Sequence, residues 1–108
     1  KNNIKIKGRK MNQTELQQKI KTTYYLLYQN KEQEAVQQVQ ELLVIFQNMI
    51  QQTREQMELS ANFALIMQQE LLENFQNADM LGMADCLKEK ALLFTEFYFQ
   101  TRNREKNE

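Results

Sequence analysis

The sequence predicts an all-α fold, an up-and-down antiparallel four-helix bundle, from three observations. The 108 residues include two glycines and no proline, so the chain has few of the residues with which sheet proteins reverse direction. Apolar residues recur at steps of three and four along most of its length, which is the period of an α-helix. Strand-like alternation occurs only at residues 4–7 (IKIK), a stretch too short and too basic to found a sheet.

The composition indicates one domain with a single core. Hydrophobic residues make up 42% of the chain, and the abundant Gln, Asn, Lys and Glu are tolerated at exposed helix positions. The longest apolar run, residues 42–46 (LLVIF), is far shorter than the ~20 residues that cross a bilayer. No apolar segment of a secretory signal follows the basic N-terminus, and the single Cys86 fits a reducing compartment. We therefore predict a cytoplasmic protein with no membrane partner.

The charge is unevenly distributed along the chain. Residues 1–10 hold five of the 14 cations and none of the 14 acids, so the remaining chain has a net charge of −5. A basic arm is typical of nucleic-acid-binding proteins. The alternative is that Met11 starts the protein and residues 1–10 are a translated leader. We divide the chain into this arm (1–10), a helical bundle (11–101) and a charged tail (102–108), and we predict no nucleic-acid partner.

The first two helices are predicted from their apolar stripes. The first runs from Asn12 to Tyr28 and ends at a turn over residues 29–31, where Asn30 tolerates left-handed backbone. The second carries two adjacent stripes, and such a wide apolar surface makes it the central helix of the bundle. The stripe residues are Leu16, Ile20, Tyr24 and Leu27 on the first helix, and Val36, Val39, Leu42, Leu43, Ile45, Phe46, Met49 and Ile50 on the second.

The last two helices depend on where the second one ends. We predict a break near Leu59, because Ser60 is a suitable N-cap and helices longer than ~25 residues are unusual in compact domains. The alternative is one continuous rod of roughly 70 Å, as in a coiled coil. A turn at residues 77–79 follows, with Asp79 as the N-cap of a fourth helix that frays from Arg102 onward. The stripe residues are Phe63, Ala64, Met67, Leu71 and Phe75, then Met80, Ala84, Leu87, Ala91, Phe94 and Tyr98.

The sequence contains no histidine, which excludes Ser-His-Asp and Cys-His nucleophiles and histidine-containing metal sites. Carboxylates at i and i+3 can hold magnesium, and Glu70 and Glu73 have this spacing. The pair resembles the first motif of all-α nucleotide pyrophosphohydrolases, but the second motif, Glu-x-x-Asp, fails because Gly82 stands three residues before Asp85. We predict no enzyme, metal or cofactor, and keep a magnesium-dependent hydrolase using Glu70 and Glu73 as the alternative.

Two aspartates stand close to the only cysteine and invite comparison with a reactive site. Asp79 is explained as a helix cap. Asp85 falls about 150° from the centre of the apolar face, so we expect it to be exposed, with Glu89 on the same side. Cys86 lies at the edge of that face and is predicted to be a small apolar filler rather than a nucleophile.

The aromatic residues exceed what one core-facing stripe requires. Phe97 and Phe99 cannot both share the face of Phe94 and Tyr98, and surplus aromatic surface often marks contact with another chain. The alternative is that the N-terminal segment folds over these rings. The predicted partner-binding residues are Tyr25, Tyr28, Asp85, Glu89, Phe97 and Phe99.

Two stretches, residues 28–35 (YQNKEQEA) and 77–87 (NADMLGMADCL), resemble small Firmicute helical-bundle proteins and, more loosely, the flagellin export chaperone family. The second resemblance implies a bundle that wraps a helical segment of its client. The chaperones' Thr/Ser-Pro element before the first helix has no counterpart here, because the chain contains no proline, and no binding residue is carried over.

The functional prediction is a non-catalytic interaction module. We expect a chaperone-like or adaptor bundle that binds a helical protein segment through an apolar groove with an acidic rim. The surplus aromatics and six methionines, which can repack around a partner, favour this prediction. Self-association into a homodimer is left open.

Overall fold

The computed structural model describes residues 4–6, 9–54 and 58–107, with side chains for residues 11–52 and 62–100. Its elements are β1 (Ile4–Ile6), β2 (Arg9–Met11), α1 (Gln13–Tyr28), α2 (Glu32–Arg54), α3 (Glu58–Gln76), α4 (Met80–Cys86), a π-helical turn (Leu87–Ala91) and α5 (Leu92–Asn107). The backbone is helical from α4 through the π turn into α5, and these three elements together are called helix four. No helix among the described residues is long and apolar enough to span a membrane.

The helices form the predicted four-helix bundle. Helix α1 packs against α2 and helix four, and α3 packs against the same two neighbours. Phe46 of α2 and Phe94 of helix four meet edge-on at the centre, with their ring centroids 6.3 Å apart. The all-α fold class is therefore confirmed, and the packing of α2 on α3 excludes the continuous rod.

Helix α1 begins and ends as predicted, for local reasons. The Asn12 side chain accepts a hydrogen bond from the Glu15 backbone N–H at 2.9 Å, and the Glu15 carboxylate accepts from the Asn12 N–H at 3.3 Å. This capping box satisfies two amides that the helix leaves unpaired. Asn30 follows the helix with φ 59°, the left-handed conformation that Asn tolerates better than most residues.

The boundary between the second and third helices was predicted too late in the sequence. Helix α2 ends at Arg54 and α3 already begins at Glu58, so Ser60 lies inside α3 and is not its N-cap.

The N-terminal segment forms a hairpin that the sequence analysis did not anticipate. Strand β1 pairs antiparallel with β2, with Ile4 opposite Met11 and Ile6 opposite Arg9, and β1 lies against α2. Met11 is buried in the core. A two-stranded hairpin has marginal stability alone and is stabilised by packing on another element. Helix α2 provides that packing here, although the short strand pattern did not predict it.

Helix four departs from the prediction in two ways. Phe99, predicted to bind a partner, is only 1% exposed and belongs to the core together with Thr95. Phe94 and Tyr98, each one position earlier, are buried as well, so this half of helix four buries two adjacent stripes because it packs against both α1 and α3. The helical backbone also continues to Asn107, beyond the fraying predicted from Arg102.

Candidate functional site

Four of the predicted partner-binding residues lie where α1 ends beside the first half of helix four. The Tyr28 hydroxyl donates a hydrogen bond of 2.6 Å to Oδ1 of Asp85, which ties the two helices together. Glu89 follows Asp85 by one turn and its charge acts on the same hydroxyl. Tyr25 is 56% exposed one turn before Tyr28. We call Tyr25, Tyr28, Asp85 and Glu89 the tyrosine–carboxylate surface.

The electrostatics of this surface are dominated by its carboxylates. The hydrogen bond to Asp85, followed by desolvation and the charges of Asp85 and Glu89, raises the pKa of Tyr28 to about 12. The hydroxyl therefore stays protonated and remains a donor at neutral pH. Among the described residues, neither Asp85 nor Glu89 forms an ion pair. Both carboxylates are exposed, as predicted for Asp85.

Buried Tyr24 contacts both exposed tyrosine rings of the surface, in tilted and edge-on arrangements. Buried Tyr24 lies with its ring centroid 4.9 Å from that of Tyr25 and 6.1 Å from that of Tyr28. Burial, with smaller contributions from Tyr25, raises the pKa of Tyr24. Contacts of this kind fix the exposed rings from one side, so that their other faces are presented to the solvent.

The remaining two candidates do not join this surface. Phe97 is 48% exposed, but it lies 12 residues beyond Asp85, about 18 Å along the helix axis. Phe99 is buried, as described above. The structure therefore separates the six predicted residues into one cluster of four, one isolated exposed ring and one core residue.

A groove that the sequence analysis missed lies between α1 and α2. Its volume is about 980 Å³, and we call it the α1/α2 groove. Helix α1 contributes Thr14, Glu15, Gln18, Lys19 and Thr22, and α2 contributes Gln37, Gln38, Gln40 and Glu41 together with Val44 and Ile45. Met11, the last residue of β2, closes the lining. The feature of the sequence that could have indicated this groove is Val44, an apolar residue outside both predicted stripes of α2.

The groove combines an apolar patch with a polar bridge, in which Lys19 of α1 bonds to Gln38 and Glu41 of α2. Val44 is 49% exposed, beside buried Ile45 and Met11. Lys19 reaches across from α1 and donates to Oε1 of Gln38 at 2.6 Å and to Oε1 of Glu41 at 2.5 Å. The amide and hydroxyl groups around this Lys19 bridge can donate and accept hydrogen bonds, so the groove suits a ligand with both apolar and polar groups.

Both carboxylates of the alternative hydrolase site have partners within this chain. Glu70 forms an ion pair with Lys90 of helix four, and the Glu73 carboxylate accepts a hydrogen bond from the Gln69 side chain at 3.2 Å. Within the part of the chain that the structure describes, no group of three or more acidic, cysteine or histidine side chains is placed to hold a metal ion.

Cys86 has the environment of a core residue. It is 1% exposed, and its thiol donates to the Met67 carbonyl at 3.6 Å. Burial, followed by the charge of Glu70, raises the pKa of the thiol to about 12. A protonated buried thiol is a poor nucleophile, in agreement with the predicted role as an apolar filler.

Comparison with known proteins adds no further assignment. No protein-family model, curated protein or solved structure shows a significant match to this chain. The resemblance to small helical-bundle proteins and export chaperones stays a prediction, and the functional argument depends on the two surfaces described above.

Proposed function

We propose that this protein is a non-catalytic interaction module, an adaptor or chaperone-like bundle that binds a helical segment of a protein partner in the α1/α2 groove. The observation that carries the proposal is the groove itself, an open channel of about 980 Å³ between two antiparallel helices with exposed Val44 on one side. A third helix packs into such a channel by the same ridge-and-groove geometry that joins the helices of a bundle.

The dimensions of the groove support a helical occupant. Its α1 side extends from Thr14 to Thr22, about 12 Å or a little over two helical turns at ~1.5 Å per residue. Apolar residues spaced by three or four along the partner would cover Val44, and flanking polar residues would meet the glutamines of α2.

Photocrosslinking at two positions tests the proposal. A benzophenone amino acid replaces Val44 in the groove or, as a matched control, Leu72, an apolar residue of α3 that is exposed to a similar degree and does not line the groove. The full chain is irradiated in a bacterial lysate, and the crosslinked peptides are identified by mass spectrometry. The expected result is one dominant partner peptide, obtained from position 44 and not from position 72.

The captured segment must also behave as a helix. A synthetic copy of that peptide is expected to gain helical circular dichroism on binding the wild-type chain and to lose affinity for Val44→Glu. Equal crosslinking from both positions, or a bound peptide that stays extended, would contradict the proposal.

A further inference from the structure

The α1 side of the groove continues directly to the tyrosine–carboxylate surface. Thr14, Gln18, Thr22 and Tyr25 follow one another at steps of four, four and three, which keeps them within about 80° on one face of the helix. All four are exposed. A helix that occupies the groove and follows this face would cover about 16 Å of α1 and would reach Tyr25 and, one turn later, Tyr28.

The Tyr28 end of this face of α1 lies beside uncompensated negative charge. Helix α1 has no basic residue in its last turn, so the negative end of its dipole is not compensated there. Asp85 and Glu89 stand beside it without ion pairs among the described side chains, and both charges act on the Tyr28 hydroxyl in the same direction. Lys21 of α1, Lys31 in the turn that follows α1, and Lys88 of helix four are exposed, but among the described side chains none of them forms an ion pair with these carboxylates.

The exposed tyrosine rings select the kind of cation. A guanidinium group is planar, stacks on aromatic faces and forms two parallel hydrogen bonds with a carboxylate. An ammonium group is a compact and strongly hydrated charge that stacks less well. Tyr25 supplies an open ring, and Asp85 keeps acceptor capacity beyond the one bond that it receives from Tyr28.

We infer that the helical partner carries an arginine that binds the tyrosine–carboxylate surface, stacked on Tyr25 and paired with Asp85 and Glu89, about three turns from the residues that contact Val44. This inference rests on the proposed function for the identity of the partner. The cation site itself is built only from residues of this chain.

The experiment is an NMR titration of the full isotope-labelled chain with N-acetyl-L-arginine amide. N-acetyl-L-lysine amide and sodium chloride at equal ionic strength serve as comparison ligands. We expect the arginine probe to shift the amide signals at Tyr25, Tyr28, Asp85 and Glu89, with a Kd on the order of 10 mM, because only a few exposed contacts are made. The lysine probe should bind more weakly and the salt should give no localised shift.

Two double variants separate a specific site from general attraction to acidic residues. Asp85→Asn/Glu89→Gln is expected to weaken arginine binding about fivefold. Glu32→Gln/Glu34→Gln removes the same charge from exposed positions at the start of α2 and is expected to leave binding unchanged. Shifts that spread over all acidic residues, equal effects of the two double variants, or equal binding of the lysine probe would overturn the assignment.

Photocrosslinking at position 44, repeated in Asp85→Asn/Glu89→Gln, tests whether arginine belongs to the groove's partner. A fall of about fivefold in yield supports the inference. An unchanged yield would overturn it while leaving the groove proposal intact. A failure of crosslinking in the otherwise wild-type chain counts against the proposed function. The arginine titration does not depend on that result, because it measures binding to the cation site without the partner.

Discussion

At the scale of single residues, burial decides what chemistry each candidate side chain can perform. Tyr28 and Asp85 are exposed and share a hydrogen bond, so they are available to a partner. Cys86 is buried and its pKa is raised to about 12, so it is a packing residue. Phe97 and Phe99 stand two positions apart, yet one is half-exposed and the other is in the core.

The hydrogen bond of Tyr28 predicts an alkaline titration. Its folded pKa is about 12 against the ordinary value of 10.0, so the protonated hydroxyl stabilises the folded state below pH 10 and this contribution is lost as the pH rises from about 10 to about 12. Ultraviolet absorbance of the phenolate should show a tyrosine that titrates near pH 12 and is missing in Tyr28→Phe. In Asp85→Asn its pKa should fall toward 10. A late titration that persists in Asp85→Asn would contradict this assignment, and Glu34→Gln is the charge-matched control.

The two phenylalanines form a matched pair for a stability test. Phe99→Ala should lower the free energy of unfolding by about 3–5 kcal/mol, because it leaves a cavity in the core. Phe97→Ala should change it by less than about 0.5 kcal/mol, as is usual for surface substitutions. Urea denaturation followed by circular dichroism measures both values, and similar losses in the two variants would show that Phe99 is not a core residue.

At the scale of elements, the start of helix four depends on a contact that requires glycine. Asp79 caps the helix by accepting from the Gly82 N–H at 2.9 Å. A Cβ atom at position 82 would stand 2.6 Å from Oδ2 of Asp79 and 2.8 Å from Cγ of Asn74. Because Gly82 has no side chain, there is space for the Asp79 carboxylate that caps the start of helix four.

This geometry reverses the usual effect of replacing a helical glycine. Gly→Ala inside a helix normally stabilises by about 1 kcal/mol, but Gly82→Ala is expected to destabilise by about that amount because it displaces the capping carboxylate. In Asp79→Ala, which lacks the cap, the same substitution should become less harmful. Thermal unfolding of the two single variants and the double variant measures this coupling, and strict additivity would refute the steric explanation.

At the scale of the whole molecule, the bundle has one core to which every described helix contributes. Cys86 lies inside that core, against the backbone of α3, so a reagent reaches its thiol only when the bundle opens. We therefore expect Ellman's reagent to label Cys86 in the native protein at least about 1,000-fold more slowly than in denaturant, as for a domain of ordinary stability. Rapid labelling without denaturant would show that this end of the bundle opens locally.

The sequence by itself determined the helical class, most helix boundaries and the role of several single residues. Asn30 and Asp79 act through backbone groups within a few positions of themselves, and both roles were predicted from the sequence, whereas Asn12 was predicted as the start of α1 but not as its cap. The apolar steps of three and four similarly predicted which faces of α1 and α2 are buried.

Only the tertiary structure decided which surfaces are assembled. The Tyr28–Asp85 bond joins residues 57 positions apart, and the α1/α2 groove is lined by two helices that Lys19 bridges. The burial of Phe99 depends on the packing of helix four against both α1 and α3, which the spacing of residues along one helix does not show. Strand β1 likewise required a partner strand and the support of α2. Each of these features arises from packing between distant segments, which no local pattern encodes.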